Sequence, residues 1–178
     1  MNKPPFSFKC SGSAIVDVVL GAAIIVFVVL PLFSAVIEKY IVMNKAQIIR
    51  DAVDMTNIST YNAINAGNLG KSIITLDSVE VDSIYRTLLA ENLNLNNDLS
   101  PKTGSIAEGP VNIDSLLIFT SGFPTVCPNN NEINRPSVHS YITIPVRPSL
   151  YRQVILNILG KQYVEFKVHV DSEIPVNN

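Results

Sequence analysis

The chain has 178 residues, a formal net charge of −2 and a hydrophobic fraction of 47%. That charge balance implies no basic face for nucleic acid, and two cysteines are too few for a disulfide scaffold. An apolar run occupies much of the first third, which leaves roughly 110 residues for a globular part of modest core.

In chain order, Lys3 and Lys9 come first, followed by SGSAIVDVVLGAAIIVFVVLPLF at residues 11–33. No charged residue lies between Val18 and Ile37, and about 20 apolar residues suffice to span a hydrocarbon core of roughly 30 Å. The run is too long for the apolar core of an ordinary secretory signal, and no small-residue cleavage pattern follows it. A plain signal anchor is the simplest reading. Lys39, Lys45 and Arg50 follow the run closely, so the positive-inside rule does not by itself fix which end faces the cytoplasm. Cys10 precedes the apolar segment and is therefore no lipoprotein cysteine. Asp17 is the anomaly. A carboxylate at the centre of a bilayer costs about 2.5–3.5 kcal/mol on insertion scales. It belongs at the interface, in a polar cavity or beside a partner. Pro31 removes one backbone hydrogen bond and is expected to bend the membrane helix.

The helical pattern continues past Ile37: Val42, Ala46, Ile49 and Val53 fall on one face, no proline intervenes before Pro101, and Gly67 and Gly70 supply a stop. A helix over about residues 13–66 is predicted, roughly 80 Å long. LDSVEVDSIYRTLLAENL then predicts a short helix with Ser78 as N-cap and Val81, Ile84, Tyr85 and Leu88 on one face. Residues 92–110 read as loop, and VNIDSLLIFT (111–120) as a strand. GFPTVCPNNNEINRPS is a polar, proline-bounded excursion, and VHSYITIPV (138–146) a second strand. SLYRQVILNIL before Gly160 reads as a helix, with an extended alternative left open by its β-branched residues. YVEFKVHVD has a clear period of two with one polar face. Three strands with one wet face predict an antiparallel sheet covered on its other face by a helix, an α+β class.

Catalytic constellations are missing from this pattern. There is no glycine-rich phosphate loop, no GxSxG elbow and no tryptophan. His139 and His169 fall on polar strand faces. Neighbouring strands would bring them close, but no cysteine or carboxylate spacing marks a zinc site, and solvated sheet histidines are the expectation. Asp77, Glu80 and Asp82 read as the acidic first turn of a helix. Asn57-Ile58-Ser59 matches a glycosylation sequon, a match too common to carry weight. No enzyme activity, cofactor or metal is expected.

Gly12 followed by Ser13-Ala14-Ile15-Val16-Asp17 resembles the type IV pilin-like cleavage site, in which a basic leader ends in Gly and an acidic residue stands fifth in the mature chain. With Leu30-Pro31 and Glu38-Lys39-Tyr40, residues 10–66 are similar to the TadE/TadG-like pseudopilins of tight-adherence pilus systems, which usually carry Glu where Asp17 stands. The resemblance implies a leader at 1–12, cleavage between Gly12 and Ser13 by a prepilin-peptidase-like protease, a helical stalk at 13–66 kinked at Pro31, and an extracytoplasmic α+β head at 67–178. It implies that Asp17 pairs with the N-terminal amine of a neighbouring subunit, an amine largely protonated at neutral pH. Two charges costly in lipid lose much of that cost when paired. The expected function is that of a minor structural subunit in the bacterial cytoplasmic membrane. Its partners would be other pilins or pseudopilins and the pilus assembly platform, and it would assemble or prime a surface pilus. The alternative is a signal-anchored extracytoplasmic binding or secretion-complex protein.

Overall fold

The computed structural model describes residues 13–68, 78–147 and 162–174, together with Gln153, Ile158 and Gly160. The chain divides into two compact units, Met1–Ile41 and Val42–Asn178.

In the first unit, helix α1 (Ser13–Ile24) passes into a π-helical turn at Ile25–Val29 and then into α2 (Leu30–Asn68). The turn falls directly before Pro31. Proline has no N–H to donate, and its ring crowds the carbonyl four residues back, that of Phe27. The helix widens just upstream, where the Leu30 N–H donates to the Ile25 carbonyl oxygen, one residue further back than in an α-helix. None of the most apolar stretch of this helix is buried within the protein. Val18, Phe27 and Leu32 are exposed. The helix over Ile15–Ile64 is long and apolar enough to cross a membrane, as a single-pass anchor or a signal sequence does.

The second unit begins inside α2 and is the α+β part. Strands β1 (Asn112–Phe119), β4 (Ser137–Val146) and β5 (Val164–Glu173) form an antiparallel sheet in the order β1-β4-β5. Between β1 and β4, a two-stranded hairpin pairs β2 (Thr125–Val126) with β3 (Glu132–Ile133). Helix α3 (Ser78–Asn92) precedes the strands. Because side chains alternate along a strand, Ile142 and Ile144 face one way and His139, Tyr141 and Thr143 the other. The isoleucine face closes the core with Ile49 and Val53 of α2 and Tyr85 and Leu89 of α3. Cutting Ile49, Leu89, Ile142 or Ile144 back to alanine costs about 2–5 kcal/mol.

The apolar stripe of α2 does not stop at Val53. It continues through Thr56, Asn57 and Thr60, all fully buried, and each hydroxyl returns its proton to the carbonyl one turn back. Asn57 is buried under the sheet, where no glycan can reach it. Helix α2 runs through Gly67 to Asn68, two residues beyond the expected end, while Gly70 lies outside the described residues. On α3 the buried line is Val81, Tyr85 and Leu89, continued by Leu93 just past its end, with Ile84 and Leu88 half-buried at its margin.

Of residues 92–110, expected as loop, Asn92 closes α3 and the rest form an ordered connection that contributes to the core. Leu95 and Leu99 are buried, and Asp98 accepts hydrogen bonds from the Ser100 N–H and hydroxyl. The expected helix at 149–159 lies almost wholly outside the described residues; Gln153 and Ile158 are helical.

Candidate functional site

The site is built on the face of β4 and β5 turned away from the core. His139 on β4 stands directly opposite Asp171 on β5, and Tyr141 opposite His169. His169 and Asp171 are two residues apart on one strand, so both side chains leave the same face. Antiparallel register thus sets His139, His169 and Asp171 at three corners of one patch.

The fourth corner comes from the hairpin. Cys127-Pro128-Asn129-Asn130-Asn131 turns the chain between β2 and β3: the Asn130 N–H donates to the Cys127 carbonyl, and the Cys127 N–H to the Asn131 carbonyl, both at 2.9 Å. Proline presets the first turn residue, and Asn130 takes the left-handed conformation (φ 64°) that asparagine tolerates better than most residues. Ile133 is buried, which holds the hairpin down and lays Cys127 and Asn131 over the strand face.

The polar atoms converge. His139 Nδ1 lies 2.7 Å from Asp171 Oδ1 and 3.2 Å from His169 Nε2. His169 Nε2 is 3.0 Å from Asp171 Oδ2 and 3.8 Å from Cys127 Sγ. The Cys127 thiol lies 3.6 Å from Asp171 Oδ2, and Asn131 Nδ2 donates to the same oxygen at 2.9 Å. One ligand atom from each of Cys127, His139, His169 and Asp171 lies within 4.8 Å of every other. Burial pushes the Asp171 carboxyl up, but the hydrogen bonds from Asn131 and His139 and the charges of His169 and His139 together outweigh it and hold the group below the usual aspartate value.

This overturns the expectation of solvated histidines. The His139 side chain is 0% exposed and that of His169 20%. The sheet's second face is wet only in part, because the excursion between β1 and β4 folds back and covers it. Nor does the arrangement suit thiol catalysis. A Cys–His–Asp triad needs the carboxylate on the ring nitrogen remote from the sulfur. Here Asp171, His139 and Cys127 all meet His169 at Nε2.

Of the residues singled out by the N-terminal pattern, Gly12 lies outside the described residues, Ser13 opens α1, Asp17 is exposed on α1, and Pro31 follows the π-helical turn. Asp77 is also outside, and Glu80 sits in the first turn of α3. Sequence spacing alone missed Cys127 and Asp171 as neighbours of the histidines. The local signal was His169-Val170-Asp171, an alternation that places two metal-ligand types on one side of a strand. Comparison with protein-family models, with curated proteins and with solved structures found no match to this chain.

Proposed function

We propose that the chain is a pilin-like, single-pass envelope subunit, a minor pseudopilin that takes part in building or priming a tight-adherence-type surface filament. The observation that carries this reading is the helix over Ile15–Ile64: none of its most apolar stretch is buried within the protein, yet a carboxylate, Asp17, stands immediately before the uncharged run. Apolar surface of that extent needs lipid or other helices around it. A carboxylate held there is best stabilised by a cation, and a processed neighbour would present one in the protonated amine of Ser13.

The continuity of α2 supports a retained anchor over a cleaved signal. Between the apolar run and the core residues Ile49 and Val53 the helix has no break, and peptidases cut extended chain. In this reading Gly12 and Ser13 are the cleavage pair, Asp17 the assembly contact, and the α+β unit faces away from the cytoplasm.

The experiment is the mass of the N-terminus of the membrane-extracted protein. Processing gives a chain starting at Ser13, and Gly12→Val leaves it full-length. A mature protein that retains Lys3 and Lys9 overturns the pseudopilin reading and leaves a signal-anchored protein of another kind.

A further inference from the structure

We propose that Cys127, His139, His169 and Asp171 together bind one divalent transition-metal ion, zinc by preference, in a closed site that fastens the β2–β3 hairpin onto the sheet. Zinc–ligand bonds of about 2.3 Å to sulfur and about 2.0–2.2 Å to nitrogen and oxygen, set tetrahedrally, place N···N and N···O edges near 3.3 Å and edges to sulfur near 3.6 Å. The distances between His139 Nδ1 and His169 Nε2 (3.2 Å), His169 Nε2 and Asp171 Oδ2 (3.0 Å), Cys127 Sγ and Asp171 Oδ2 (3.6 Å), and Cys127 Sγ and His169 Nε2 (3.8 Å) follow those edges closely.

The chemistry agrees with the geometry. Four groups that bind metals through lone pairs face a common point beneath a covering hairpin. Hydrogen bonding serves the cluster poorly: two ring nitrogens meet each other while both also face one carboxylate. A single cation between them satisfies all four at once. A thiolate with two imidazoles selects zinc or copper over calcium and magnesium. A carboxylate in the fourth place, where copper electron-transfer sites keep a weak axial ligand, favours zinc. Four protein ligands leave no open position, so the ion is structural. Binding exchanges the Cys127 thiol proton for the metal bond and releases it to solvent.

Two features outside the ligands fit the same role. Asn131 Nδ2 hydrogen-bonds Asp171 Oδ2, the kind of outer contact that orients a ligating carboxylate. The turn hydrogen bonds between Cys127 and Asn131 fix both residues in one rigid unit, so that positioning one positions the other.

The test uses the full chain purified in detergent. Metal analysis by mass spectrometry after dialysis against zinc-containing and then metal-free buffer is expected to give one zinc per chain. Cobalt added to chelator-stripped protein is expected to give the intense visible bands of a tetrahedral ion and a thiolate-to-metal band in the near ultraviolet. Cys127→Ser removes the thiolate band. His169→Gln, at the partly exposed side, weakens binding by more than about 100-fold, and Asn131→Ala by about 10–100-fold. Should Cys127→Ser fail to fold, the last two variants, whose changed side chains are the more accessible, carry the test. A wild-type chain that retains no zinc, or whose cobalt spectrum lacks the thiolate band, overturns the proposal; so does cobalt affinity unchanged in His169→Gln.

Discussion

Asn57 of α2 and Ser172 of β5 meet beneath the sheet in a 2.9 Å hydrogen bond, the amide donating to the hydroxyl oxygen. The same amide nitrogen reaches the carbonyls of Val138 and Val170 at 3.2 and 3.3 Å, and Ser172 in turn donates its proton to Asp54 of α2. One side chain thus ties the helix to both β4 and β5 where no water reaches.

Replacing it with alanine removes the donor and leaves buried acceptors unpaired, at about 1–3 kcal/mol for each group so stranded. Asn57→Ala is therefore expected to lower stability by about 2–3 kcal/mol. Asn57→Asp should cost more, since it turns a carboxylate toward two carbonyl oxygens. Denaturant unfolding of the full chain in detergent measures both, and a midpoint unmoved in Asn57→Ala would mean the tie is worth nothing net.

Tyr85 gives the fold an alkaline limit. Burial pushes its phenol from 10.0 up to about 12. Below pH 10 both folded and unfolded chains hold the proton, so the tyrosine contributes no pH dependence. Between about pH 10 and 12 the unfolded chain releases the proton and the folded chain keeps it, so stability falls with rising pH. The accumulated loss is about 2–3 kcal/mol. Tyr85→Phe should flatten that part of the stability–pH curve relative to wild type. Parallel curves for the two proteins would show that the phenol titrates alike in both states.

Cys127 is only 3% exposed, so a thiol reagent should not reach it in the folded protein. A membrane-impermeant maleimide is expected to leave it unmodified until denaturant is added. Glu91 on α3 is exposed, and Glu91→Cys supplies a reporter for topology. If the α+β unit faces away from the cytoplasm, this cysteine labels in intact spheroplasts. Labelling only after the inner membrane is opened would place that unit on the cytoplasmic side.

Asp17 is expected to act in assembly, with neither folding nor processing depending on it. Asp17→Asn keeps the size and removes the charge, so processed protein should accumulate normally while surface filaments fall severalfold. Asp17→Glu, the usual residue of the resembled family, should support filaments at least as well as wild type. Normal filament numbers with the asparagine variant, at matched protein levels, would reduce Asp17 to an interfacial charge.

The parts of the fold that sequence reveals are those in which a short-range period answers to a single buried face. Val164, Phe166, Val168 and Val170 announce β5, and Ile49 with Val53 announce the core side of α2. The same rule predicts the helix onward but loses its buried face after Val53, because Thr56, Asn57 and Thr60 are polar in type yet buried by virtue of their hydrogen bonds. The metal-ligand cluster was illegible for a different reason. Residue 127 meets residues 139, 169 and 171 only through a hairpin that folds back and a strand register set by the whole sheet. Neither is encoded in any spacing. What could be read was that two histidines shared strand faces, and the error was to assume that a polar face is an open one.

The π-helical turn before Pro31 acts as a phase slip in the helix. In an α-helix each residue advances the direction of its side chain by about 100°, so a stripe can be counted forward from Asp17 without correction. With an extra residue taken up at Ile25–Val29, a count that crosses the turn arrives one position out of step from Leu30 onward. The side that Asp17 marks therefore continues beyond the turn along residues one later than simple counting gives. A straight helix laid against the segment can keep its ridges in register with one half only, and whatever packs along both halves has to absorb the same slip.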